Sequence, residues 1–67
     1  MEEIQDCLGK LICKVDASCG FVHRYNSKEL ISAYLSPGDR IAFEIGVTYT
    51  ELELREDPYF YVTSLQN

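Results

Sequence analysis

The sequence lacks several features that would place it in a specialised class of proteins. Its 67 residues include no tryptophan, two prolines, four glycines and one histidine. No apolar run approaches the roughly 18 residues that a membrane-spanning helix needs, and the acidic start Met-Glu-Glu is unlike a secretory signal peptide. No internal repeat or sustained heptad is present, which excludes collagen, solenoid and coiled-coil folds. We therefore expect a small soluble domain with no membrane partner.

Basic side chains are scarce and unevenly placed. Six Lys and Arg stand against eleven Asp and Glu, which gives a net charge of -5. Residues 1–7 and 44–67 are acidic, whereas residues 8–43 carry a small positive excess that could form a basic stripe or could simply be solvated. Because phosphate neutralisation supplies most of the non-specific affinity for nucleic acids, the acidic total disfavours a nucleic-acid ligand without excluding it.

The cysteine pattern gives no sign of a disulfide framework or a zinc site. Cys7, Cys13 and Cys19 are three in number, and an odd set cannot be fully paired within one chain. Zinc sites favour close pairs of cysteines, and here His23 would have to complete the ligand set. We expect reduced, metal-free thiols, no cofactor, and a cytoplasmic or nuclear location.

Apolar residues are abundant, at 46% of the chain, and they follow the two-residue period of β-strands. The clearest case is residues 40–45, in which Ile41, Phe43 and Ile45 alternate with polar or small residues and are predicted to lie in the core. Comparable runs occur at residues 11–15, 20–25, 47–54 and 59–64. Residues 29–35 fit either a strand or a short helical face. The sequence therefore predicts an all-β domain.

Turn residues separate these runs, and Ser36-Pro37-Gly38-Asp39 is the clearest turn. We expect an acidic lead-in over residues 1–8, one domain over residues 9–65, and a short tail at residues 66–67. A two-sheet sandwich looks too large for this length, so a closed or partly closed small barrel is the predicted way to avoid exposed strand edges.

Four stretches carry a resemblance to a known family. Gly9-Lys10-Leu11 is similar to an opening Gly-Lys-Val, and Cys19-Gly20-Phe21-Val22 to the second half of an RNA-binding motif, Lys-Gly-Phe-Gly-Phe-Ile. Residues 35–45 resemble the stretch that leads into and through a fourth strand, and Tyr61-Val62 falls where a closing strand ends. Together they resemble the cold-shock domain, a small five-stranded OB-type barrel. S1-type and initiation-factor-type OB domains are the neighbouring possibility, since they also carry Gly-Asp before the fourth strand.

The resemblance is weakest where cold-shock domains bind single-stranded RNA or DNA. That family stacks bases on aromatic side chains of its first three strands, helped by lysines. Here the expected tryptophan falls at Cys13, and the first phenylalanine of the RNA-binding motif falls at Cys19, so Phe21 alone is kept cleanly. Since base stacking is worth roughly 1–3 kcal/mol per base, we expect these losses to remove most of the single-strand affinity.

The candidate binding residues are aromatic and basic. By strand alternation, Phe21, His23 and Tyr25 share one face together with Cys19, and consecutive aromatics at residues 59–61 leave at least one ring exposed. The full set of candidates, for a protein or a nucleic acid, is Phe21, His23, Tyr25, Lys10, Lys14, Tyr34, Tyr59 and Tyr61. The acidic cluster within residues 51–57 could complement a basic partner or could be a solvated face.

No phosphate loop, catalytic carboxylate pair or metal motif is present, so we expect no enzymatic activity and no catalytic residue. The sequence favours a non-catalytic module that contacts another protein in an RNA- or DNA-handling assembly. Weak binding of single-stranded RNA or DNA through Phe21, His23, Tyr25 and nearby lysines is the alternative. Homo-oligomerisation stays open.

Overall fold

A computed structural model describes residues 1–67 and shows strands and turns throughout, with no helix. The strands are β1 (Glu2–Gln5), β2 (Leu11–Asp16), β3 (Phe21–Tyr25), β4 (Leu30–Tyr34), β5 (Arg40–Ile45), β6 (Thr48–Arg55) and β7 (Tyr59–Gln66). The all-β prediction is confirmed, and the ambiguous segment around residues 29–35 is a strand. No helix is long and apolar enough to cross a membrane.

The strands form two antiparallel sheets in which neighbours in sequence are neighbours in space. Sheet A has the order β1-β2-β3-β4, and sheet B has the order β5-β6-β7. No ladder joins the two sheets, so the structure shows two sheets where the sequence predicts a closed or partly closed barrel. The expectation that two sheets need a longer chain is wrong, because strands of four to eight residues suffice for both layers.

The core is formed by the faces that the two sheets turn toward each other. The buried cluster comprises Ile4, Ile12, Cys13, Val15, Val22, Phe43, Leu52, Leu54 and Phe60. Phe43 is buried as the sequence predicts, while Ile41 and Ile45 on the same face of β5 are half-buried and pack against this cluster. In β6, Thr48 and Thr50 are also buried, and they continue the inward row of Leu52 and Leu54.

Within the acidic segment predicted as a lead-in over residues 1–8, Glu2–Gln5 form the strand β1. This strand pairs with β2, and Ile4 lies opposite Cys13 and is buried in the core. Glu2 and Glu3 remain exposed, which is why the local composition gives no sign of a strand. Tertiary pairing with β2 therefore decides the conformation of this segment.

A buried aspartate joins the two sheets at the turn that follows β1. One carboxylate oxygen of Asp6 accepts hydrogen bonds from the backbone N–H groups of Leu8 and Lys10, each at 2.9 Å. The other oxygen accepts a bond of 2.9 Å from the hydroxyl of Thr48 in β6. These bonds, with the backbone N–H of Lys10 foremost, hold the pKa of Asp6 below its usual value. The carboxylate thus fixes the turn of sheet A onto sheet B.

Two glycines are required by the turns that precede β3 and follow β4. The predicted turn at residues 36–39 is confirmed, because the N–H of Asp39 donates to the carbonyl oxygen of Ser36 at 2.9 Å and Gly38 has a φ of 95°. Gly20 has a φ of 74°, and its carbonyl oxygen accepts a 2.8 Å bond from the N–H of Leu35. A Cβ at Gly20 would overlap the carbonyl oxygen of Leu35. The close approach of Leu35 to Gly20 therefore holds the end of β4 beside the start of β3.

Candidate binding site

The outer face of sheet A brings three ring-bearing side chains together. Val22 points into the core, so its neighbours Phe21 and His23 point away from it. In the β3–β4 ladder, Phe21 lies opposite Tyr34, and His23 lies opposite Ser32. We call the set Phe21, His23 and Tyr34 the aromatic surface.

Phe21 packs against both other rings of the aromatic surface. The centroids of Phe21 and Tyr34 are 4.9 Å apart with an angle of 39° between the ring planes. Those of Phe21 and His23 are 5.8 Å apart, with an angle of 23°. The Nδ1 atom of His23 lies 3.1 Å from the hydroxyl oxygen of Ser32, which fixes the imidazole on the face. Tyr34 remains 75% exposed, so a ligand can reach its ring.

A cleft of about 670 Å³ opens beside the aromatic surface, between β2 and the end of β3 with its following turn. It is lined by four of the six basic side chains of the protein and by none of its eleven acidic ones. These basic residues are Lys10, Lys14, Arg24 and Lys28. His23 belongs to both surfaces, and the 73% exposed Tyr25 also lines the cleft. We call this feature the basic cleft.

The cations of the basic cleft have two different roles. Arg24 is structural, because it donates at 2.6 Å to the carbonyl oxygen of Ile12 and at 2.9 Å to the carboxylate of Glu29, and its side chain is only 11% exposed. The three lysines are exposed and make no salt bridge. Their ammonium groups are therefore free to contact an anionic ligand.

Glu3 and Asp16 lie on the same face of sheet A as this site. Glu3 is opposite Lys14 in the β1–β2 ladder, and Asp16 is opposite Phe21 in the β2–β3 ladder. The carboxylate of Asp16 accepts bonds from the hydroxyl of Ser18 at 2.6 Å and from its N–H at 3.1 Å. The hydroxyl bond is the main reason that the pKa of Asp16 is lowered. Asp16 is thus the charged last residue of β2, and its carboxylate already accepts two hydrogen bonds from Ser18.

Tyr59 and Tyr61 lie on the other side of the molecule, on the outer face of β7. Their ring centroids are 6.2 Å apart, and the guanidinium carbon of Arg55 lies 3.8 Å above the ring of Tyr61. The hydroxyl of Tyr61 donates to the carboxylate of Asp57 at 2.7 Å, and this bond raises its pKa. The candidate residues therefore form two separate sites, one on each sheet.

The outer face of sheet B is acidic overall. Glu44, Glu51 and Glu53 share it with Arg40, which lies 3.9 Å from a carboxylate oxygen of Glu53. Tyr49 lies opposite Glu44, and burial is the main cause of its raised pKa, with Glu51 adding to the effect. The outer face of sheet B thus carries more acidic than basic side chains, whereas four of the six basic residues line the cleft of sheet A.

The three cysteines do not share a site. Cys13 is in the core, where burial raises the pKa of its thiol to about 11, and Cys7 and Cys19 are exposed in two different turns. Cys19 precedes β3 and so lies outside the strand that carries the aromatic surface. No group of three or more His, Cys, Asp or Glu side chains is placed to hold a metal ion.

Comparison with known proteins gives no relative, because no family model, no curated protein and no solved structure matches the chain. The cold-shock resemblance therefore rests on the short sequence stretches alone. Among the basic residues of the cleft, Arg24 and Lys28 are absent from the candidate set, and the position of Lys28 in the turn after β3 places it with Lys10 and Lys14 in the basic cleft. A count of cations over residues 8–43 is the only sequence signal that includes it.

Proposed function

We propose that this chain is a non-catalytic binding module that holds a single-stranded nucleic acid on the outer face of sheet A. Bases stack on the aromatic surface, and phosphates contact the lysines of the basic cleft. The observation that carries the proposal is the adjacency of these two surfaces, which share His23. Single-strand binders combine a positive groove with rings on which successive bases stack.

The net charge of -5 does not oppose this ligand at close range. The molecule measures 30 × 24 × 16 Å, so its outer faces lie farther apart than the screening length of about 8 Å at physiological ionic strength. The acidic face of sheet B is consequently screened from a strand bound to sheet A. The positive charge at the basic cleft comes mainly from Lys10, Lys14 and Lys28, which make no salt bridge.

A cold-shock-like, OB-type relationship belongs to the same proposal. In cold-shock domains the first three strands carry the nucleic-acid face, and by the matched stretches these correspond to β2, β3 and β4. Cys13 stands where that family has a stacking tryptophan and is buried, so β2 contributes Lys14 to the face and no ring. With three rings and three free lysines, we expect weak binding, with a dissociation constant of about 1–100 µM.

A protein partner is the second candidate, and it would use the outer face of sheet B. Tyr59 and Tyr61 are exposed there beside a majority of carboxylates, and exposed tyrosines are frequent interface anchors. A basic protein surface would complement this face. The two candidates use opposite faces, so substitutions on each face distinguish them.

The test is a titration of labelled oligo-U and oligo-dT by fluorescence anisotropy, at about 50 and 200 mM salt. Engagement of three phosphates on a single strand predicts a slope of about -2 for log K against log salt, and so about 15-fold weaker binding at the higher salt. Tyr34→Ala should weaken binding about 5- to 150-fold through the loss of one stacked ring. Tyr59→Ala removes another exposed tyrosine from the other face and is the matched control, which should bind like the wild type.

Replacement of Lys14 and Lys28 by alanine should lower affinity and flatten the salt dependence, because two of the three phosphate contacts are removed. Binding that is absent at low salt, or that is equally reduced by Tyr59→Ala and Tyr34→Ala, would contradict the proposed site. If oligonucleotides fail to bind while a basic protein binds in a manner lost with Tyr59→Ala, the second candidate replaces the first.

A further inference from the structure

The last strand, β7 (Tyr59–Gln66), is an open edge of sheet B. It pairs with β6 along its whole length and with no other strand. None of the backbone hydrogen bonds outside the ladders involves residues 59–66. The second row of backbone N–H and C=O groups along this eight-residue strand is therefore unpaired.

This edge lacks the features that usually prevent strand pairing between molecules. Natural edge strands are short or carry charges and prolines. Among the other edges, β1 carries two glutamates over four residues, β5 carries Arg40 and Glu44, and β4 has only five residues. The sequence of β7 is Tyr-Phe-Tyr-Val-Thr-Ser-Leu-Gln, with no charge, no proline and no glycine. It is the longest edge and the one best suited to accept another strand.

We propose that β7 pairs antiparallel with the β7 of a second copy of this chain, so that two three-stranded sheets become one six-stranded sheet. In an interface with a two-fold axis, the same surface of each copy meets its equivalent, so the β7 of one chain pairs with the β7 of the other. The charge distribution of the protein also favours pairing through β7. Two copies of a chain with a net charge of -5 repel one another over most of their surface, whereas β7 brings no like charges into register.

Exposed apolar side chains select the register of the pair. A two-fold axis perpendicular to the sheet keeps inward-facing residues on the same side in both copies, so residues of equal parity must face each other. With the axis at Val62, the two Val62 side chains meet, and Tyr59 of one copy lies opposite Leu65 of the other. Val62 and Leu65 are 41% and 59% exposed in the single chain, although Val62 points to the inner side as the ladder partner of Leu52. Pairing in this register covers both.

A register shifted to Thr63 gives a poorer match. It would place Val62 opposite Ser64, whose hydroxyl already contacts the hydroxyl of Thr50 at 3.0 Å and accepts a 2.9 Å bond from the N–H of Cys7. The apolar surface of Val62 would then face a polar group. The Val62-centred register is therefore the one we propose, and it uses no residue of the aromatic surface or the basic cleft.

Sedimentation velocity over a wide concentration range tests the dimer. We expect the sedimentation coefficient to rise with concentration to that of a dimer. Val62→Lys places two ammonium groups at the two-fold axis and should raise the dissociation constant at least about tenfold, which corresponds to about 1.4 kcal/mol. Val47→Lys is the matched control, because Val47 is a similarly exposed valine in the β5–β6 turn, and it should dimerise like the wild type. Circular dichroism verifies that both variants are folded.

Directed cross-linking tests the register and does not depend on how Val62→Lys folds. In a background with Cys7 and Cys19 replaced by serine, Val62→Cys should form a disulfide-linked dimer on mild oxidation, because the two residues face each other across the axis. Thr63→Cys should not form this disulfide, because in the Val62-centred register the residues at position 63 of the two copies are diagonal neighbours, about 7–8 Å apart. A wild-type chain that stays monomeric, a dimer that does not cross-link through Val62→Cys, or cross-linking through Thr63→Cys alone would each overturn the proposal. None of these outcomes affects oligonucleotide binding by sheet A.

Discussion

Replacement of Phe43 by alanine tests the packing of the two sheets most directly. Phe43 projects from β5 onto the buried cluster, lies opposite Thr50 in the ladder, and is 5% exposed. Truncation of a buried phenylalanine costs about 3–5 kcal/mol, as the sum of lost transfer free energy and the cavity left behind. Because β5 is an edge strand and can shift toward the gap, we expect a loss near 3 kcal/mol.

That loss is large compared with the stability of so short a chain. At about 0.05–0.15 kcal/mol per residue, 67 residues give a free energy of unfolding of about 3–10 kcal/mol. Phe43→Ala should therefore remove between a third and all of it. Urea denaturation followed by circular dichroism gives the free energy of unfolding and its denaturant slope, and an unchanged slope shows that the folded state keeps its compactness.

The control for Phe43→Ala is Val47→Ala, which truncates a valine that is 53% exposed in the β5–β6 turn. A surface substitution of this kind should change the free energy of unfolding by less than about 0.5 kcal/mol. If the two variants are equally stable, or if Phe43→Ala lies within about 1 kcal/mol of the wild type, Phe43 does not fill the space between the sheets and the register of β5 is incorrect.

Three further predictions concern a turn, a thiol and a carboxylate. Gly46→Ala should lower the free energy of unfolding by about 1–2 kcal/mol through backbone strain alone. Gly20→Ala should lower it clearly more in the same urea assay, because the added Cβ would also overlap the carbonyl oxygen of Leu35. A thiol reagent at about pH 8 should label the two exposed cysteines quickly and Cys13 only after unfolding, since Cys13 is buried and its pKa is about 11; three equally fast thiols would contradict this. The lowered pKa of Asp6 means that its contribution to stability is present above the unfolded-state pKa of about 4 and is lost as pH falls through the lower folded-state value. Urea midpoints measured against pH should therefore fall less steeply below pH ~4 in Asp6→Asn than in the wild type, and equal slopes would refute the assignment.

Strand positions were predictable from the sequence wherever a local period of two was visible. The alternation of Ile41, Phe43 and Ile45 and the Pro-Gly turn at residues 36–39 are local signals, and the structure has both. β1 was not predictable, because its one buried side chain, Ile4, lies between the polar residues Glu3 and Gln5. The number of sheets could not be predicted from the sequence either. It depends on which strand edges pair with each other, and no local sequence pattern shows which edges stay unpaired.

The candidate site follows the same division between local and long-range information. Alternation is enough to place Phe21 and His23 on one face, and the structure has them in contact. The contact between Phe21 and Tyr34 depends on the β3–β4 register, which a pattern within one strand does not contain. The convergence of Lys28 with Lys14 likewise depends on how a turn folds over β2. The sequence alone therefore predicts fewer ring contacts than the aromatic surface has. It also predicts a basic stripe where the folded chain forms a basic cleft.

The meander order of both sheets has a consequence for the order in which they can fold. Every ladder joins strands that follow each other along the chain, so sheet A can form from residues 2–34 before sheet B has been made. Its inner face, with Val15 and Val22, has no cover until sheet B adds Phe43 and Leu52 to the same buried cluster. The link from Asp6 to Thr48, which spans 42 residues, also forms only then. A fragment that ends within the turn at residues 36–39 would therefore expose the apolar inner face of sheet A to solvent and be prone to aggregate, and addition of residues 40–67 would cover that face.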